Sequence, residues 1–160
     1  MILKIVRHLL KIKIVSVGEF KNNKLKLIFY DYVKKLPWNI DLKEIKQTKH
    51  KNSSLRKEKD SLNLLDYVGK NDLIICLDKS GKSISTQTLK QFISEWETYS
   101  KNINFLIGGP EGISNECLTK SDQIISFGRM TWPHLLARVM LAEQLYRVSS
   151  IISNHPYHRN

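Results

Sequence analysis

Short apolar runs alternate along the chain with stretches whose apolar residues recur every three or four positions, and this alternation restricts the fold to an α/β sheet that is largely parallel. Residues 11–18 alternate with period two and stop at Gly18, as a strand does. Leu25, Ile28, Phe29, Tyr32, Val33 and Leu36 fall at helical spacing, and Pro37 ends that run. Residues 38–45 alternate again. Residues 46–60 are lysine-rich without an apolar stripe, so they read as a loop or the start of a helix. That helix would begin near Leu55, continue through Leu62, Leu65 and Val68, and end at Gly69. Residues 72–78 form a third, buried strand. Residues 85–99 form an amphipathic helix with Leu89, Phe92, Ile93 and Trp96 on one face. Residues 104–107 and 124–127 supply two more strands, with a short helix capped by Ser114 between them. Trp132-Pro133 opens a last helix that reaches Ile152, with Pro133 in its first turn.

A chain of 160 residues, 41% of them hydrophobic, can bury one core, and no repeat or linker divides it. The apolar run Leu73–Leu77 is far too short to span a membrane. Met1–Leu10 is basic and partly apolar but lacks the long apolar stretch and cleavage site of a signal peptide. Cys76 and Cys117 show no metal-ligand spacing and read as reduced thiols in a cytoplasmic protein. The net charge is +11, and residues 1–60 hold 16 basic and 6 acidic side chains against 10 and 9 in the rest. That excess suits a polyanion, RNA or an anionic membrane, and it is equally what a lysine-biased composition produces.

Parallel sheets bind ligands outside the carboxyl ends of their strands, which directs attention to the loops after Asp78, Gly108 and Phe127. Gly108-Gly109-Pro110-Glu111-Gly112 permits close backbone approach to a ligand, with Glu111 an acceptor, but is also an ordinary Gly/Pro turn. It lacks the Gly-Lys-Ser/Thr of a phosphate loop and the spacing of a dinucleotide fingerprint. In Ser126–His134, free backbone groups face an adenine edge if Met130 and Trp132 flank a ring; otherwise both are core residues and Arg129 a solvated charge. The tail, Asn154-His155-Pro156-Tyr157-His158-Arg159, concentrates base-stacking, proton-handling and phosphate-pairing side chains. Two histidines without a nearby carboxylate or cysteine make a weak metal site. No Ser-His-Asp or paired-carboxylate arrangement suggests a hydrolase.

Four segments, in order and spacing, resemble the bacterial large-subunit ribosomal RNA methyltransferase H family of the SPOUT class. They are Phe105–Gly112, Met130-Thr131-Trp132-Pro133-His134, Arg138 with Glu143-Gln144-Leu145-Tyr146-Arg147, and Asn154–Arg159. The likeness is close over residues 72–160 and weaker over 11–71. It implies a single domain over residues 11–160 with a C-terminal trefoil knot, which default connection rules disfavour. It implies a homodimer that binds S-adenosylmethionine and methylates N3 of a pseudouridine in 23S rRNA on the ribosome. The cofactor site would be Leu77, Gly108, Phe127, Gly128, Arg129, Met130, Thr131 and Trp132, with no metal. Tyr157, His158 and Arg159 would act as tail residues on the partner's cofactor, with His158 the side-chain candidate for a base, solvent or Tyr157 the alternatives, and Arg159 with Arg129 stabilising charge on the pyrimidine. His134 reads as structural. Met1–Leu10 departs from the family as an extension or a misassigned start, and the loop after Gly18 is shortened. A non-catalytic RNA- or ribosome-binding factor and a SPOUT enzyme acting on tRNA are the alternatives.

Overall fold

The computed structural model describes residues 10–21, 23–99 and 102–159. In chain order the elements are β1 (Lys11–Val17), α1 (Lys24–Val33), β2 (Asn39–Ile45), α2 (Ser53–Leu65), β3 (Leu73–Ser83), α3 (Thr86–Thr98), β4 (Ile103–Ile107), α4 (Asn115–Thr119), β5 (Gln123–Ser126) and α5 (His134–Ile152). The strands make one sheet in the order β2-β1-β4-β3-β5, and every neighbouring pair is parallel. Of the segment read as an extension, residues 1–9 lie outside the described residues. Leu10 is buried, and its carbonyl accepts from the Asn39 N–H at 3.0 Å.

Alternation sorts the side chains to two faces. Ile12, Ile14, Ile75, Ile103 and Phe105 pack with α1, α3 and α5. Val15, Val17, Cys76 and Leu106 pack on the other face with Leu64 of α2 and Cys117 of α4. Helix starts follow short polar side chains. Asn23, Asn52, Ser85 and Ser114 each accept a first-turn N–H. The Asn52 carboxamide oxygen takes both Ser54 and Leu55 N–H groups, which starts α2 inside the polar stretch, ahead of Leu55. The final helix begins at His134, one residue after Pro133, which caps it without a side-chain hydrogen bond.

One element departs from the sequence expectation. The third strand continues past Asp78 to Ser83. Leu77 and Lys82 both register with Ile125, so residues 78–81 leave the ladder and re-enter it on the same partner. Gly81 makes this hook possible: a Cβ there would lie 2.6 Å from the Ile125 carbonyl carbon.

Helix α5 packs against α1, α3 and β4. Its buried anchor is Arg138, fully removed from solvent. The guanidinium donates to Glu44 at 2.8 Å, to the Val17 carbonyl at 2.7 Å and to the Gly18 carbonyl at 2.8 Å, and its carbon sits 4.8 Å from the Phe20 ring centroid. Glu44 also accepts from the Phe20 N–H at 2.7 Å. These bonds join the ends of β1 and β2 to the first turns of α5. Burial lowers the Arg138 pKa to about 10, and Glu44 opposes that shift. Removing one partner of a buried pair strands the other, so Arg138→Ala is expected to cost about 3–5 kcal/mol in equilibrium urea unfolding. Arg138→Lys restores a charge but not the fork, and should recover only part of that loss.

Candidate active site

Because every strand is parallel, all five carboxyl ends lie at one edge of the sheet, where a cleft of about 680 Å³ opens. Its walls come from the segments after β4 and β5, from Leu77–Ser80 in β3, and from His134 and Ala137 at the start of α5. The volume is that of a site for a small organic ligand.

Leu77, Gly108, Phe127, Gly128, Met130, Thr131 and Trp132 all line this cleft. Arg129 is exposed and does not line it. Gly108 is held by close packing: a Cβ there would lie 2.5 Å from the Gly112 carbonyl oxygen. The opposite wall is folded by its own hydrogen bonds. Ser126 Oγ donates to the Gly128 carbonyl at 2.7 Å and accepts from the Gly128 N–H at 3.2 Å. Trp132 Nε1 donates to the Phe127 carbonyl at 3.3 Å. Met130 is 70% exposed and Trp132 38%, so neither is a core residue and both present apolar surface to a ligand.

Other residues also line the cleft, some of them at the strand end after Asp78 that the parallel-sheet rule indicates. Lys57 arrives from α2, and Asp78, Lys79 and Ser80 from the hook. The Asp78 carboxylate accepts from Ser80 Oγ at 2.6 Å and Ser80 N at 2.9 Å. His134 also faces the cleft; burial first, then the Arg138 charge, lower its pKa and favour the neutral ring.

Glu111 also lines the cleft, with its carboxylate already committed. It forms an ion pair with Arg56, whose Nε donates to it at 2.8 Å, and it accepts from Gln47 Nε2 at 3.1 Å.

The tail packs against its own chain. The Tyr157 hydroxyl donates to Glu143 at 3.1 Å and lies 3.4 Å from that of Tyr32. Its ring centroid is 4.6 Å from that of Tyr146 and 5.0 Å from the Arg147 guanidinium carbon. Arg147 pairs with Glu143 and reaches His158 Nδ1 at 3.4 Å. Burial, Tyr32 and Glu143 push the Tyr157 pKa upward, so its hydroxyl stays protonated and is a poor base. Arg159 is exposed. Tyr157 and His158 are thus brought together, away from their own cleft. Nine helical steps along α5 carry the chain from Ala137 at the cleft to Tyr146 at the tail, about 14 Å of helix. Among the described residues no three His, Cys, Asp or Glu side chains gather as a metal site requires. Cys76 and Cys117 are buried free thiols, and no described helix is long and apolar enough to cross a membrane.

The Arg56 guanidinium holds the Glu111 carboxyl below the usual carboxylate range. A depressed folded-state pKa gives stability that is present above the unfolded value and lost as pH falls through the folded one. Glu111→Gln should therefore melt below the wild type near neutral pH. The gap should close as acid protonates Glu111, which thermal melts across pH would follow.

Known proteins share this arrangement. The family model described as "Predicted SPOUT methyltransferase" matches residues 10–158. The protein of Coxiella burnetii called ribosomal RNA large subunit methyltransferase H is 43% identical over 155 residues, covering 94% of this chain and 100% of its own length. The protein of the same name from Saccharophagus degradans is 36% identical, covering 94% and 100%. A solved structure titled "The structure of a probable methylase family protein from Haemophilus influenzae Rd KW20" shares the fold with a TM-score of 0.57 at 14% identity, over 93% of this chain and 70% of that one. The chain is a methyltransferase and belongs to the ribosomal RNA large subunit methyltransferase H family within the SPOUT class.

Proposed function

We propose that the protein transfers the methyl group of S-adenosylmethionine to N3 of a pseudouridine in 23S rRNA of the large ribosomal subunit, in the cytoplasm. The observation that carries this reading is the joint placement of Leu77, Gly108 and Phe127–Trp132, Arg129 apart, around one cleft. The cleft suits the donor: its volume is adequate, backbone groups of the Gly108 turn and the Phe127 loop face it, and Met130 and Trp132 offer apolar surface. The donor supplies an already activated methyl carbon, so the chain's task is alignment and exclusion of water. The N3 proton must leave as attack proceeds. His158 is the side-chain candidate to take it, while Tyr157, protonated and anchored to Glu143, fits a role in holding the base.

The trefoil knot belongs to the same reading. The hook at residues 78–83 and the close passage of Gly81 over Ile125 support a threaded chain. So does the homodimer. The tail is remote from its own cleft, and α1 exposes Leu27 and Ile28 beside a groove lined by Tyr32, Val139 and Met140. A second copy covering that face would bring one chain's tail to the other's cleft. Residues 1–10 stand in this reading as an extension preceding the domain.

The direct experiment supplies labelled donor and large subunits or ribosomes lacking the modification. Label is expected in 23S rRNA, at a pseudouridine whose blocked pairing edge stops reverse transcription. Label in tRNA, or at another atom, would overturn the assignment. Gly108→Ala should abolish donor binding in calorimetry, because its Cβ meets the Gly112 carbonyl. His158→Ala should keep donor binding and lose transfer. Mixing the two inactive variants tests the composite site. Exchanged subunits should recover about a quarter of wild-type activity, since half the dimers carry one intact cleft-and-tail pair. A site made within one chain would recover none.

A further inference from the structure

We propose that the cleft-bearing edge of the sheet is the surface that grips the phosphate backbone of the RNA substrate, with Lys46, Lys49 and Lys51 on one side of the cleft and Lys79 and Lys82 on the other. This inference rests on the reading of large-subunit RNA as substrate and assigns the part of the protein that holds it.

Charge is unevenly divided between the two edges of the sheet. Segments 18–23, 46–59, 78–83, 108–114 and 127–133, at the carboxyl edge, carry ten basic and four acidic residues. Segments 34–38, 66–72 and 120–122, at the opposite edge, carry four and three. A compositional excess of lysine would load both edges alike. Per residue the basic load is indeed alike, ten in 40 against four in 15, and the cleft edge differs in its smaller acidic share, four in 40 against three in 15.

Glu111 is neutralised by Arg56, and Asp60 is buried and accepts the Thr48 N–H at 2.8 Å. Those two carboxylates fix the basic loop in place. Arg56 Nη1 also donates to the His50 carbonyl at 2.5 Å, and Gln47 reaches Glu111 at 3.1 Å. Residues 46–52 are therefore tied to the first turns of α2 and to the glycine turn that walls the cleft. Lys46, Lys49, Lys51, Lys79 and Lys82 are exposed, and among the described residues none of them forms an ion pair. Lys57 and Lys79 line the cleft itself. Unpaired lysines fixed on both sides of a concave site focus a positive field there, and a polyphosphate chain crossing the cleft mouth has the complementary charge and extent.

Exposed lysines that bind phosphate release counterions, so neutralising one of them lowers the salt dependence of binding. Lys49→Gln with Lys51→Gln is compared with Lys70→Gln with Lys120→Gln at the opposite edge, using the full-length protein and isolated large subunits. The cleft-edge pair should weaken subunit binding about tenfold or more near 0.1 M salt and reduce the slope of log affinity against log salt by about 1.5–2. Donor affinity and kcat at saturating subunits should stay at wild-type values, with the loss in KM. The opposite-edge pair should leave all four quantities unchanged. Equal losses from both pairs, or none from the cleft-edge pair, would overturn the proposal. Salt-dependent binding of the wild type to anionic lipid vesicles, with no such dependence on subunits, would also overturn it. If the wild type modifies no large-subunit RNA, the functional reading itself has failed, which the wild-type control shows separately.

Discussion

The Arg138 guanidinium holds this architecture together at its most demanding point. A parallel sheet leaves its strand ends as separate loops, and a site built there needs those loops tied to something rigid. Arg138 performs that task from inside α5, with one guanidinium reaching Glu44 of β2, the last residue of β1 and Gly18. Its burial is costly and its hydrogen bonds compensate. The same residue places His134, one turn earlier on α5, against Gly18 and in the wall of the cleft.

From that anchor α5 divides into two working ends. Its first turns close the cleft, and its last turns carry Glu143, Tyr146 and Arg147, which hold the tail. The helix is buried against α1 and α3 and cannot shift one end without the other. A rigid spacer of this kind sets a fixed distance between the cleft wall and the tail, which is what a site shared between two copies would need.

The strands and long helices were legible because alternation and three- to four-residue spacing directly reflect which face is buried. One cap was legible, Ser114 at the start of the short helix after the glycine turn. The start of α2 was not, because Asn52 precedes a polar stretch and only hydrogen bonding reveals it. The hook at 78–83 was invisible for a similar reason. Lys79-Ser80-Gly81-Lys82-Ser83 holds no apolar residue, and its pairing comes from the backbone of a strand some forty residues later. In the site, the Gly108 turn and the Phe127 loop follow from strand ends, and seven of the eight residues expected there do line one cleft. Arg129 does not, since alternate positions in a loop need not face the same way. Lys57 and the commitment of Glu111 to Arg56 depend on pairings 55 residues apart, which no local pattern encodes.

The hook also imposes an order in time. Lys82 and Ser83 have no ladder partner until Ile125 and Ser126 exist, so during synthesis the end of β3 is a strand edge without its mate. At ordinary elongation rates that interval lasts roughly two to nine seconds. The polar sequence of the hook suits this delay, because lysines and a glycine on an open edge discourage pairing with the wrong chain. The residues that hide the hook from pattern reading are therefore the ones that keep it safe while the nascent protein waits to close.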